Sequence, residues 1–397
     1  MSTSFWLASL AGCAGVALAA KLQRGAFYAR FATVFLVVHT LISGALAAHT
    51  GALFPVYCVL QAALFTHFFL LSRPRMRGLP YRVLVSLPAQ YFSAGTLLAF
   101  PWAIAAAFGA RPLGLWIPYA LAGFGLLQSL TLRREEVSIV VDRAPRGALG
   151  RDTPSPAGGA GTAGRPLRLV QITDPHLGPF MSVARLRSIC ERAVAQDPDL
   201  VLLTGDFLTM ESQETHAHLA AALAPLAALP GRVFACHGNH DHEAPALVAR
   251  ALAEAGATLL VDDATLVETP AGPVQILGMD FHFTRRAERM ARVCAEHPRE
   301  PGALRLVLLH DPGAFRHLPE GEGDLVLSGH THGGQLGLVS LGAPYTVLRL
   351  LVDMPDHGLW ARGRDRLYVH RGTGHYGFPL RLGVPGEESL LRVHVVG

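Results

Sequence analysis

Five short clusters hold side chains that could do chemistry together: Asp174-Pro-His176, Gly205-Asp206, Gly238-Asn239-His240-Asp241, His310-Asp311 and Gly329-His330-Thr331-His332. Carboxylate, amide and imidazole donors in this mix suit a pair of borderline divalent cations, with Mn²⁺ favoured and Fe²⁺ or Zn²⁺ as alternatives. Paired cysteine ligands are absent, which argues against a structural zinc site. In Asp174-Pro-His176, side chains two apart on extended backbone point the same way and would grip one cation. The same geometry would serve His330 and His332. Gly205 allows close backbone approach ahead of Asp206, whose two oxygens could bridge two ions. Asn239 adds a neutral oxygen, and His310 completes the nitrogen set.

Charge counting points to a substrate. Two divalent ions against Asp174, Asp206 and a hydroxide leave the centre about one unit positive, which attracts a phosphate anion. Two such ions can hold an attacking hydroxide for in-line displacement at phosphorus. His240 is spare in the ligand count and suits the role of proton donor to the leaving oxygen, with Asp241 as the group that would orient its ring.

These clusters need elements to position them. Strand patterns fall at 167–173, 199–204, 232–238, 274–280, 305–310 and 324–330, with helical patterns near 182–196, 214–229, 243–256 and 284–296. That alternation predicts an α/β layered domain, with the ligands at strand ends where such sheets bind them.

The set DPH, GD, GNHD, LLH and GHTHGG, in that order, resembles the calcineurin-like metallophosphoesterase superfamily from about Leu167 to the C-terminus. The resemblance implies a four-layer αββα sandwich, two mixed sheets flanked by helices, with a dinuclear site. It implies Asp174, His176, Asp206 and His332 around one metal, and a bridging Asp206 with Asn239, His310 and His330 around the other. His240 would contact the scissile phosphate and protonate the leaving group. SGHTHGGQ (328–335) and GTGHYGFPLRLGVPGEE (372–388) are similar to a bacterial membrane-associated branch. Relatives in that branch cleave UDP-2,3-diacylglucosamine. The stretch GTGHYGFPLR stands where many relatives carry a plainer sequence, so the resemblance extends to the metal site and not to the identity of the distal substrate pocket.

Other residues near the clusters have structural readings first. His237 is expected to be packed or to support the ligands, and His242 to be solvated. Asp280 and His282 end a strand near the site, and Asp311 reads as a turn residue before Pro312. His375 and Arg381 are candidates for binding a phosphate or lipid-linked head group; alternatively Arg381 pairs at the surface with Glu387 or Glu388. The apolar stretch 336–354 reads first as core or sheet edge and second as a cap facing an acyl chain.

The first part of the chain is different in kind. Of 397 residues 50% are hydrophobic and 16% charged, against roughly a quarter charged in a typical soluble chain. Ten of the 34 lysines and arginines fall in residues 1–134 and all 30 carboxylates follow Arg134, so that stretch carries +10 and the remainder −6. A uniformly basic nucleic-acid binder is excluded, because the positive charge sits where the chain is apolar. Apolar runs at about 4–20, 31–48, 52–71, 83–109 and 113–130 predict about five transmembrane helices in 1–134. The first run is short, and Pro101 and Pro118 interrupt the last two. Basic residues follow the first, third and fifth runs, which places the downstream domain on the cytoplasmic side of the inner membrane. His39 and His67 are the intramembrane ionisable residues, expected at packing positions. Residues 143–165, rich in Gly, Pro and Ala, read as a flexible tether to a domain over 166–397, and Val137–Val141 as a strand of the downstream sheet. The five cysteines suggest no disulfide framework.

The expected protein is therefore a membrane-anchored two-metal phosphoester hydrolase acting on a lipid or lipid-linked nucleotide. A metal-binding regulatory or scaffold protein is the alternative. A transporter is disfavoured by the lack of intramembrane carboxylates.

Overall fold

The structure, a computed structural model, describes residues 2–142, 144–153, 164–214 and 216–396. It divides into two compact units. One holds Met1–Leu130 with Met210–Ser212 and Tyr376–Leu382; the other holds Thr131–Thr209, Gln213–His375 and Gly383–Gly397.

In the first unit, three helices are long and apolar enough to cross a membrane: Thr3–Gln23, Ala26–Ala47 and Gly51–Leu71. The first apolar run, short by composition, continues through Lys21 to Gln23. Helices Leu79–Leu98 and Phe100–Ala107 meet at a bend of 58° and count at most as one further span. The bend has a local cause. Ala99 leaves the helical region with ψ at 5°, and Pro101 in the next turn has no N–H to donate. The last run forms only the 14-residue helix Trp116–Ser129, about 21 Å long against a hydrocarbon core of about 30 Å. Against the five expected spans, three helices among the described residues, or four with the bent pair taken as one, are long and apolar enough to cross a membrane. His39 packs its ring 5.1 Å from Phe92, and His67 Nδ1 lies 2.6 Å from the Tyr81 hydroxyl.

The second unit contains thirteen strands among the described residues. The first sheet runs β1 (Leu132–Val141), β13 (Gly386–Val395), β3 (Leu167–Ile172), β4 (Leu200–Leu203), β5 (Val233–Ala235) and β6 (Thr258–Leu259). The second runs β2 (Gly150–Arg151), β11 (Gly358–Arg362), β12 (Asp365–Val369), β10 (Leu325–Ser328), β9 (Leu304–Leu309), β8 (Gly272–Met279) and β7 (Asp263–Thr269). Leu169, Leu200, Leu202 and Phe234 from the first sheet share one core with Ile276, Leu306, Leu308, Leu325 and Leu327 from the second. Helix Arg286–Glu296 covers another face of the second sheet, packing Met290, Val293 and Cys294 with Leu277, Val307 and Val326. Central strands such as β4 and β9 are buried on both faces, which is why they read as unbroken apolar runs.

This α/β sandwich starts earlier than its motifs. β1 pairs in parallel with β13 over ten positions, Leu132 to Val141, so the strand seen at 137–141 begins at Leu132. Within 143–165, Gly150–Arg151 forms the edge strand β2 against β11. Residue 143 and residues 154–163 of that expected tether lie outside the described residues. β3, β4 and β5 run parallel, as do β8, β9 and β10, so each trio delivers the ends of its strands to one edge.

Candidate metal centre

The five clusters follow β3, β4, β5, β9 and β10, and the topology brings them together. Asp174, His176 and His332 offer ligand atoms all within 4.8 Å of one another, and so do Asp206, His310 and His330. Asp206 belongs to both neighbourhoods: its Oδ2 lies 3.2 Å from His310 Nε2 and 3.6 Å from His176 Nε2.

The backbone that achieves this is not extended. Asp174, His176, Asp206, His330 and His332 all have positive φ, between 48° and 67°. Left-handed backbone at five non-glycine residues is costly, of order 1–3 kcal/mol each, and such residues gather where function requires them. It also corrects the expected geometry. Asp174 and His176 converge through a turn, and His330 and His332 separate, one to each group. Gly205 (φ 89°) behaves as expected: a Cβ there would stand 2.2 Å from the Gly238 nitrogen. At Gly329 a Cβ would stand 2.0 Å from Asp174 Oδ2.

Hydrogen bonds fix each donor. His176 Nδ1 is 2.9 Å from the Leu208 carbonyl and His310 Nδ1 is 2.7 Å from the Thr204 carbonyl, so each donates there. His332 Nδ1 stands 3.4 Å from the Gly374 carbonyl. The Asp174 carboxylate accepts the His330 backbone N–H at 2.9 Å and the Thr173 hydroxyl at 2.7 Å. Asp206 Oδ1 accepts the His240 backbone N–H at 2.8 Å.

Two features fit a cation. With both Nδ1 atoms donating, His176 Nε2 and His332 Nε2 carry lone pairs, yet they stand 3.2 Å apart. Two lone pairs face each other this closely when a positive charge lies between them. The Asn239 Oδ1 is buried with no hydrogen-bond partner among the described residues, a costly arrangement unless it binds an ion. Electrostatics agree. Burial pushes the His176 imidazole down to about 3, keeping it a neutral ligand. Burial would also lower His310, but Asp206 and Asp174 outweigh it and lift it to about 10. The position at its Nε2 therefore favours positive charge. Asp206 is buried too, yet His310 and His176 hold it well below the usual carboxylate range.

His240 lies beside this set, its ring 5.5 Å from that of His176. Its Nδ1 is 2.9 Å from Glu243 Oε1, so Glu243 orients the ring. Asp241 has other work. It is fully buried and accepts the backbone N–H groups of Asp206 (2.7 Å), Gly238 (2.8 Å) and Phe207 (2.9 Å), tying the Asp206 turn to the Asn239 turn. Glu243 escaped the sequence reading, although its spacing of three from His240 suits a short helical turn. Asp311 accepts from the Gly313 N–H at 2.8 Å and pairs with Arg286 at 2.7 Å, a turn residue as expected.

The remaining candidates are elsewhere. His375 is buried, its ring 4.3 Å from Phe180. Arg381 falls in the other compact unit and is buried rather than at the surface; its backbone N–H donates to Ser129 Oγ at 2.8 Å. Its expected surface partners are engaged by others, Glu388 with Arg192 at 3.0 Å and Glu387 with Arg371 and Tyr368. The stretch 336–354 is not core. Leu338, Leu341, Tyr345, Val347, Leu350, Leu351 and Val352 are all exposed.

Comparison with known proteins follows the same residues. The family model described as Calcineurin-like phosphoesterase matches residues 167–334. Phosphodiesterase YaeI of Escherichia coli (strain K12) is 31% identical over 233 residues, covering 57% of this chain and 82% of that protein. An uncharacterized metallophosphoesterase of Helicobacter pylori (strain J99) is 29% identical over 234 residues, and this chain covers 60% of its length. UDP-2,3-diacylglucosamine pyrophosphatase LpxG of Chlamydia trachomatis serovar D is 27% identical over 278 residues, covering 57% of this chain and 83% of that protein.

Proposed function

Because this chain belongs to the calcineurin-like phosphoesterase family, and is thereby a metal-dependent phosphoester hydrolase, we propose that it is a multi-pass membrane enzyme. In this reading it cleaves a phosphodiester or pyrophosphate bond in a lipid or lipid-linked nucleotide. Asp174, His176 and His332 would hold one divalent ion, Asn239, His310 and His330 would hold the other, and Asp206 stands where it could serve both. Two bound ions, Mn²⁺ by preference, would supply Lewis acidity and a nucleophile for displacement at phosphorus. The single observation that carries the reading is Asp206 Oδ2, within 3.6 Å of ring nitrogens belonging to both ligand groups.

His240 contributes the proton. Burial opposes its protonation, but the Glu243 hydrogen bond and Asp206 raise its pKa above the ordinary value. Glu243 accepts from Nδ1, which leaves Nε2 to donate to the leaving oxygen. The lipid assignment draws support from three features: helices long enough to cross a bilayer, the apolar residues exposed just after His332, and the substrate in the name of the Chlamydia relative. His375 would meet a part of the substrate beyond the phosphoester. With three spans, Arg73 to Arg82 after the third helix, and Lys21 in the last turn of the first with Arg24 just beyond it, favour a cytoplasmic face for the hydrolase unit.

Purified full-length protein loaded with Mn²⁺ should hydrolyse bis(p-nitrophenyl) phosphate, and Asp206→Asn should abolish turnover. Full activity in that variant would remove the shared ligand from the mechanism. Protease digestion of sealed inside-out vesicles should cut the hydrolase unit; protection there would reverse the orientation.

A further inference from the structure

We propose that His237, His242 and Asp280 form a third cation site, of the class that takes Zn²⁺, apart from the catalytic pair. Their ligand atoms lie within 4.8 Å of one another. Asp280 Oδ1 is 3.2 Å from His237 Nδ1 and 3.0 Å from His242 Nε2. Tetrahedral Zn²⁺ with bonds of about 2.0–2.1 Å sets neighbouring donor atoms about 3.3 Å apart, so these spacings are those of a ligand set.

The surroundings favour an ion over a closed hydrogen-bonded cluster. Asp280 Oδ1 already accepts the Phe281 backbone N–H at 2.9 Å, so both imidazoles crowd an oxygen that is partly satisfied. His282 is outside the set: its Nε2 stands 4.0 Å from Asp280 Oδ2 and nearer, at 3.7 Å, to Asp262 Oδ2. His237 is 6% exposed, so its ring is held on the buried side of the group. His237, His242 and Asp280 supply three donors, and water would complete the tetrahedral Zn²⁺ shell. His242, with 37% of its side chain exposed, gives the entry path.

The site is near the catalytic pair but distinct from it. The Phe281 ring lies 6.3 Å from the ring of His242, 6.3 Å from that of His310 and 6.2 Å from that of His330. A cation at Asp280 therefore adds positive charge one phenyl group from the pair, suited to a second phosphate of a pyrophosphate substrate. That role, unlike the site itself, rests on the proposed function.

The test is metal counting. Detergent-purified full-length protein is stripped with a chelator, dialysed against Zn²⁺ and measured by inductively coupled plasma mass spectrometry. Three ions per chain are expected in the wild type and two in His242→Ala. The milder His242→Gln, at a half-exposed position, guards against misfolding, and thermal melting checks both. Reloading with Co²⁺ should give a tetrahedral visible absorption band that His242→Ala removes. Two zinc ions in both wild type and variant, with no change in the cobalt spectrum, would overturn the third site. The double variant Asp206→Asn/His310→Ala should retain one ion; an unchanged count there would strike the catalytic pair instead, so the two failures are distinguishable.

Discussion

Replacing Glu243 by Gln tests how His240 is held. The carboxylate stands 2.9 Å from His240 Nδ1 and also accepts from Gln213 Nε2. Gln keeps the size and one acceptor oxygen but removes the charge that helps raise the His240 pKa. Groups that orient a reacting imidazole through its second nitrogen are worth on the order of 10–100-fold when removed. Glu243 has 41% of its side chain exposed, so solvent screens part of the effect. The loss should lie at the lower end, about 10-fold in kcat, or about 1.4 kcal/mol of transition-state stabilisation. The substrate decides whether proton donation is involved. A diester with an alkyl leaving group needs the proton, whereas p-nitrophenolate leaves readily without it. Steady-state rates on both should show the full loss for the alkyl diester, a smaller loss for the p-nitrophenyl diester, and little change in KM. The pH profile adds a sign. A donor must be protonated, so activity falls as pH rises through its pKa. Removing the Glu243 charge lowers that pKa and moves the alkaline limb to lower pH. Equal losses on both substrates, or an unmoved alkaline limb, would refute the assignment of Glu243 and of His240 as the acid.

Other outcomes follow from the same contacts. Gly329→Ala should lose metal and activity while the protein stays folded, because the new Cβ would meet Asp174 Oδ2 at 2.0 Å; metal analysis beside circular dichroism checks this. Asp241→Asn should instead lower the melting temperature together with activity on every substrate, since it replaces one of the two oxygens that serve three backbone N–H groups with an NH₂ donor. Glu387 tests linkage. Burial would raise its pKa, but His370 and Arg371 hold it down to about 2 against an ordinary 4.5. Its contribution is complete above pH 4.5 and is lost as pH falls toward 2, and amounts to about 3 kcal/mol as an order of magnitude. Chemical denaturation should show Glu387→Gln less stable than wild type at pH 7, with the gap closing below pH 4.5; a constant gap would contradict the depressed pKa.

Much of the hydrolase unit was legible because its central strands are buried on both faces. β3, β4, β9 and β10 read as apolar runs ending abruptly in Asp or His, and helices Val183–Ala195 and Arg286–Glu296 showed their periods within two residues. The left-handed turns were not legible. Asp, Asn and His are the non-glycine residues that adopt positive φ most readily, so nothing in the letters separates DPH in a turn from DPH on a strand. β11 and β12 were missed because their hairpin carries Arg362, Asp365 and Arg366, all buried or nearly so and ion-paired, at positions where alternation predicts solvent. Gly363 at φ 52°, in Arg362-Gly363-Arg364, was the available turn signal. The opposite error occurred at 336–354, where apolar letters suggested core and most of the large apolar side chains are exposed. Among the helices, hydropathy averaged over 83–109 concealed the break at Ala99, although Pro101 marks the place.

The central claim is that Asp206 is shared by two cations, and X-ray absorption on the Mn²⁺-loaded protein addresses it most directly. The account predicts a manganese–manganese scattering distance of about 3.5–4 Å, with nitrogen and oxygen in the first shell, and its disappearance in Asp206→Asn. Manganese bound at wild-type stoichiometry with no metal–metal scattering, or a vector that survives Asp206→Asn, would contradict it.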